Sequence, residues 1–211
     1  PTWGVISRRL GTLDINDDKW VSSLNGIDVV INCIAHTNTY DQDKTQHLKL
    51  NVDWVGRLAD VCRQTNSKLV HISTDYMYAN TGLGYGKESD IPMHHKSWYG
   101  YTKLIGESIV QSKITNHLII RCGHKPRPFP YDKATTAIVG NFDYVDVIAE
   151  KIERLISLDA HGIVNVGSDF KTMYDLAIQT NPDVEKIDYL PVETMPTDVR
   201  MNLSKYNQIV Q

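Results

Sequence analysis

Cysteine is scarce here, and what little there is cannot staple a fold. Cys33, Cys62 and Cys122 are far apart and odd in number, which reads as reduced intracellular thiols and excludes a disulfide framework. Long apolar runs are missing too: no stretch approaches the roughly 20 residues that span a bilayer. No signal-peptide pattern opens the chain, so a cytoplasmic, membrane-free protein is the default expectation. Charge of one sign is not in excess. The formal net charge of -3 argues against a nucleic-acid footprint. The eight histidines are scattered and none joins a Cys/His cluster at metal spacing; His94 and His95 are adjacent in a loop, and no metal is expected. Internal repeats and low-complexity segments are also missing. What remains is 41% hydrophobic and 22% charged over 211 residues, a composition able to bury a core as one domain, or one domain with a small lobe.

Apolar patterning divides the chain into alternating strands and helices. Thr2 to Ser7 reads as a strand with Arg8 and Arg9 at its end, and Asn16 to Asp18 can cap a short helix through Leu24. Ile27 to Ala35 is nearly all apolar, as parallel strands buried on both faces are. His47 to Gln64 carries a helical stripe of Leu48, Val52, Val55, Leu58, Ala59 and Cys62. Leu69 to Ile72 and His117 to Arg121 are further strands, with a helix to about Ser112 between them. The alternation predicts a doubly wound, Rossmann-like α/β parallel sheet in which the Ile27, Leu69 and His117 strands are parallel neighbours or near neighbours. Lys125 to Pro130 is punctuated by proline and can be neither helix nor central strand. Beyond it, a helix is expected over Val147 to Leu158, a short strand over Gly162 to Gly167, and a helix from Thr172 that Asn181-Pro182 ends.

The stretch from Leu69 to Lys103 carries the chemistry. A buried strand runs into Ser73-Thr74-Asp75, so hydroxyls sit where open α/β sheets place their ligands. Tyr99 and Lys103 are four apart on a helix and share a face. An ammonium beside a phenol favours the phenolate and lowers its pKa, giving a general acid for a carbonyl oxygen. Each residue alone also has a plain structural use: Tyr99 as a half-buried helix residue, Lys103 as a solvated one, Thr74 as a strand cap.

Together, Ser73-Thr74-Asp75-Tyr76 and Tyr99-Gly100-x-Thr102-Lys103-Leu104-x-Gly106-Glu107 resemble the extended short-chain dehydrogenase/reductases. Within these, the resemblance is to the dTDP-4-dehydrorhamnose reductase and sugar-nucleotide-binding family. It implies a catalytic set of Thr74, Tyr99 and Lys103, with Ser73 as second choice to Thr74. It further implies cofactor contacts from Ala35, His36, Thr37, Ser73, Tyr99 and Lys103, and adenine contacts from Asp14 and Ile15. Arg8 and Arg9 stand where arginines accommodate a 2′-phosphate, which favours NADP over NAD; solvated surface charge is the other reading. Asn51 matches the family's Asn-Val-x-x-x-Gly context and can brace its helix. Arg121 reads as a structural residue at a strand end.

The resemblance implies a dinucleotide-binding core over 1–125. Over 126–211 it implies a mixed segment, partly core (about 142–160) and partly a small C-terminal substrate lobe built from the Pro126 loop and the residues from about Gly162 on. It departs from the pattern in three places. No Gly-x-x-Gly-x-x-Gly precedes Arg8-Arg9, so the first strand and Gly-rich turn of such a fold are absent from these 211 residues, and loss of that central strand would leave a slot in the sheet. Cys122-Gly123-His124 replaces a Thr-Ser-aromatic segment, and Met195-Pro196 replaces Arg-Pro. The expected function is an NADP(H)-dependent oxidoreductase acting on a keto group of a sugar nucleotide. The alternatives are a non-catalytic nucleotide-binding or regulatory subunit of the same fold, and a sugar-nucleotide epimerase. A sugar nucleotide is then the small-molecule partner, and a homo-oligomer is left open.

Overall fold

A computed structural model describes residues 14–41, 43–79, 85–90 and 97–211. Four parallel strands form the central sheet, in the order Val29–Asn32, Lys68–Ile72, His117–Arg121, Gly162–Asn165. The chain is Rossmann-like. Pairing aligns Ile31 with Val70, Val70 with Leu118, and Ile119 with Ile163. The two middle strands are buried on both faces because helices cover both, whereas the two outer ones are partly exposed. On one face, Leu69 and Ile119 pack under the helices Trp54–Thr65 and Trp98–Lys113 with Val55, Leu58 and Val110. On the other, Val70, Leu118, Ile120 and Val164 meet Ile148 and Leu155 of the helix Val145–Ser157.

Local chemistry sets the helix ends. Ser97 accepts from Gly100 N to cap the Tyr99 helix. Asn66 ends the preceding helix in the left-handed region at φ 59°, which lets Ser67 N reach Cys62 O at 2.9 Å. The stripe expected from His47 begins earlier, at Lys44, and passes through a π-helical turn, Lys49–Asp53, before Trp54. The helix expected through Leu24 contracts to a 3-10 turn, Val21–Leu24.

One expectation changes. The four described strands are consecutive neighbours, and Val29–Asn32 is an edge among the described residues; the strand expected over Thr2 to Ser7, beside which a slot was expected, lies outside them. The Gly162 strand was assigned to the substrate lobe, yet it pairs with His117–Arg121 as the sheet's fourth member. The C-terminal helix Ser204–Val210 also returns to this core, with Tyr206 packed against its cluster. The remaining segments build a smaller body of short strands. Lys133–Thr135 pairs with Glu185–Ile187, and Val139–Gly140 lies between Asp198–Val199 and Lys171–Thr172. Phe129, Phe142, Tyr144, Leu176 and Val199 fill its own core.

Candidate active site

The strands all point the same way, so their C-terminal ends and the loops that follow gather on one side. A cleft of about 410 Å³ opens there. Ala35, Thr37, Ser73, Tyr99 and Lys103 line it, with Cys33, Cys122 and His124 from the strand ends and Ile148, Ile152 and Ile156 from the facing helix. Five of the residues named from sequence thus meet in one place. Thr74 is buried and does not line the cleft, and its side chain neighbours the Tyr99 phenol. Its hydroxyl also donates to Asp75 Oδ1 at 3.2 Å and accepts from Tyr76 N.

Tyr99 is positioned by packing. Its ring stands edge-on to Tyr76 at 5.8 Å and to His47 at 6.3 Å, and Tyr76 in turn shares a 2.9 Å hydrogen bond with Tyr40. Burial raises the Tyr99 pKa above that of a free phenol; the Thr74 hydrogen bond pulls it down, and the Asp75 charge pushes it further up. The sequence expectation was the reverse, a phenol lowered by Lys103. Lys103 is itself buried and donates to Ile72 O at 2.6 Å, so the geometry directs its ammonium to the strand. Desolvation lowers its own pKa to about 8, against the pull of Glu107, so it remains mostly charged at neutral pH.

The other named residues divide. His36 belongs to the loop after the first strand: its N–H donates to Asn51 Oδ1 at 2.8 Å and its ring meets Asp41 at 2.9 Å. Asn51 also donates to Thr102 at 3.0 Å, so it ties that loop to the Tyr99 helix, which is the bracing role. Asp14 and Ile15 do not join the cleft wall. Ile15 is in the core beside Trp20 and Trp54, and Arg57 holds its carbonyl, while Asp14 accepts from Asn16. Arg8, Arg9, His94 and His95 lie outside the described residues. Ser73 faces the cleft, but its hydroxyl donates to Glu107 Oε1 at 2.5 Å, which leaves Thr74 as the hydroxyl beside the phenol.

Two features were missed in the sequence. Glu107 and Arg121 form a fully buried ion pair, 2.7 Å apart, and Arg121 extends it to the Tyr78 hydroxyl at 2.8 Å. Arg121 is therefore the structural residue it was read to be. Asp75 is the other: it is buried, and desolvation raises its pKa to about 6 even though Thr74 and the Lys125 charge pull it down. Its presence after Thr74 was visible; its burial was not. Among the described residues, no group of three His, Cys, Asp or Glu is placed to hold a metal, and no helix is long and apolar enough to cross a membrane.

The model of the RmlD substrate binding domain family matches residues 3–124. A dTDP-4-dehydrorhamnose reductase of Mycolicibacterium smegmatis is 34% identical over 113 residues, covering 51% of this chain and 34% of that protein. The same-named protein of Aggregatibacter actinomycetemcomitans is 29% identical over 158 residues, covering 70% of this chain and 52% of that one. The chain thus spans about a third to a half of the curated relatives it matches. Among solved structures, a dTDP-4-dehydrorhamnose reductase of Clostridium acetobutylicum superposes with a TM-score of 0.80 at 22% identity, over 92% of this chain and 80% of that one. One from Bacillus anthracis, in complex with NADP, gives 0.77 at 19% identity over 93% and 79%. At these identities the structural likeness speaks for the fold.

Proposed function

Because this chain belongs to the RmlD substrate binding domain family, we propose that it serves an NADP(H)-dependent reductase acting on a keto group of a sugar nucleotide. The observation that carries the reading is that Tyr99 and Lys103 line one cleft at the C-terminal end of a parallel sheet, with Thr74 buried beside the Tyr99 phenol. Relatives named as dTDP-4-dehydrorhamnose reductases, and a neighbour solved with NADP, support the substrate class and the cofactor.

The residues present fit a nicotinamide dinucleotide. Ala35 and Thr37 offer a strand-end loop along the cleft, and the buried Lys103 ammonium has three donors, one directed at Ile72 O. The others suit ribose hydroxyls. When bound, a reduced nicotinamide would supply hydride to the carbonyl carbon. Tyr99 gives its phenolic proton to the carbonyl oxygen, and Thr74 orients both. A phenol whose pKa is raised holds its proton at neutral pH, so Tyr99 begins the cycle as an acid.

A non-catalytic binding subunit of the same fold would share the cleft, and Tyr99 separates the two readings. NADPH oxidation with a panel of 4-keto sugar nucleotides should fall by roughly 10²–10⁴ in Tyr99→Phe, with cofactor affinity and thermal stability nearly unchanged. Lys103→Met should lose both turnover and cofactor affinity. Equal rates for wild type and Tyr99→Phe would overturn the mechanism, and a wild type that binds NADPH without any turnover would favour the binding subunit.

A further inference from the structure

We propose that Asp75 is the proton store for Tyr99, exchanging a proton with the phenol through the Thr74 hydroxyl. The use made of that proton rests on the reductase reading above; the coupling itself does not.

The geometry is a short wire. Thr74 Oγ1 donates to Asp75 Oδ1 at 3.2 Å, and the same side chain neighbours the Tyr99 phenol, whose pKa it lowers. One hydroxyl proton serves two acceptors, so the hydroxyl turns toward whichever neighbour is ionised. Asp75 is 4% exposed and is not among the residues lining the cleft. Its carboxyl packs on the backbone of Gly123, where any Cβ would overlap Oδ2. A side chain in that position would displace the carboxyl; the glycine in Cys122-Gly123-His124 admits it. Asp75 therefore acts through Thr74 without touching substrate.

The charges around it set the direction of transfer. Thr74 and Tyr76 belong to its own segment, and Tyr99 comes from the helix Trp98–Lys113. Cys122 and Lys125 come from the chain after the third strand, and Tyr40 from the loop after the first. Lys125 is the cation in this group; the carboxyl otherwise faces a thiol and phenols. Burial disfavours the carboxylate and disfavours the Tyr99 phenolate still more, so a proton on Asp75 moves downhill to an ionised Tyr99.

The step balances. Hydride addition to the carbonyl carbon takes the Tyr99 proton onto the new alcohol and leaves a phenolate. The Thr74 O–H proton passes to the phenolate oxygen while the Asp75 O–H proton passes to Thr74 Oγ1. Asp75 ends as a carboxylate near Lys125, and solvent returns one proton to it. In the oxidative direction the same wire runs backwards, with the Asp75 carboxylate as the final acceptor.

The test reads the coupling without turnover. With 13Cζ-labelled tyrosine, the Tyr99 resonance of the wild-type protein should show an inflection near pH 6, the value to which Asp75 is raised. That inflection should vanish in Asp75→Asn, which keeps an oxygen for Thr74 to bond but holds no transferable proton, and should shrink in Thr74→Val. If the chain reduces a keto sugar nucleotide, the limb near pH 6 in wild-type kcat should be missing in Asp75→Asn, with KM unchanged. A wild-type Tyr99 signal flat through pH 4–8 overturns the proposal even if no variant folds. An inflection that survives in Asp75→Asn also overturns it. Loss of turnover with the inflection intact would instead count against the reductase reading.

Discussion

Two buried polar clusters lie on neighbouring parts of this sheet, and they are built to opposite rules. In the first, Glu107 receives Ser73 and three contacts from Arg121, and Arg121 continues to Tyr78, whose hydroxyl donates to Asn165 at 2.8 Å. Charge meets opposite charge with bidentate geometry, and donors find acceptors. In the second, Asp75, Thr74, Tyr99 and Tyr76 put a carboxyl among hydroxyls, with Lys125 nearby. Every acid in it is pushed up by burial. Full pairing fixes a structure; partial pairing leaves protons movable, which is what acid–base chemistry needs.

The largest effect should come from breaking the paired cluster. Glu107→Ala leaves Arg121 charged, buried and unpaired, and urea denaturation should show a loss of about 3–5 kcal/mol. A loss under 1 kcal/mol would mean that water or rearrangement replaces the carboxylate, and the contrast would weaken.

Asp75 tests the other cluster through pH. Its pKa is raised on folding from 3.8 to about 6, so the folded state binds the proton more tightly than the unfolded chain. Stability attributable to it is fully present below pH 3.8 and is lost as pH rises to about 6, amounting to about 3 kcal/mol at one pKa unit per 1.36 kcal/mol. Comparing wild type with Asp75→Asn across this window isolates the slope; parallel curves would place the carboxyl in a wetter site than the geometry gives it.

The smallest effect concerns the frame that both clusters share. Ser97→Ala removes the cap of the helix bearing Tyr99, Lys103 and Glu107, and should cost about 1 kcal/mol. Hydrogen exchange should speed up at Tyr99 and Gly100 but not at Glu107. Uniform change along the helix would show that its first turn is not an independent unit.

The strands were legible because burial on both faces leaves a continuous apolar run, as in Leu69-Val70-His71-Ile72 and Leu118-Ile119-Ile120. The helix of Tyr99 was legible from its spacing. Sheet membership was harder: Gly162–Asn165 looked like a strand, but its partner is more than forty residues away in sequence, and no local period records pairing. Tertiary contact, which no local period records, also hid the Glu107–Arg121 pair, 14 positions apart, and the approach of Lys125 to Asp75. The Tyr99 pKa went the wrong way for a different reason. Helical spacing says that two side chains share a face, but it does not say that Lys103 reaches Ile72 O or that the phenol is desolvated. Asp14 and Ile15 were placed by resemblance alone; Ile15 packs beside Trp20 and Trp54, and neither residue lines the described cleft.

Asn165 has a consequence for the order of assembly. Its side-chain amide donates to Gly86 O and to Asn202 O, both at 3.0 Å, and its backbone N–H donates to Glu88. Segments 79 and 37 positions away are clasped at one residue at the end of the last strand. Closing such long loops costs entropy that only the finished contacts return. The helix pair Trp54–Thr65 and Trp98–Lys113 can condense on the middle strands early, whereas the clasp must wait for the fourth strand to dock. The chain between Tyr85 and Asp90 should then be the last part of the sheet's rim to become protected during refolding.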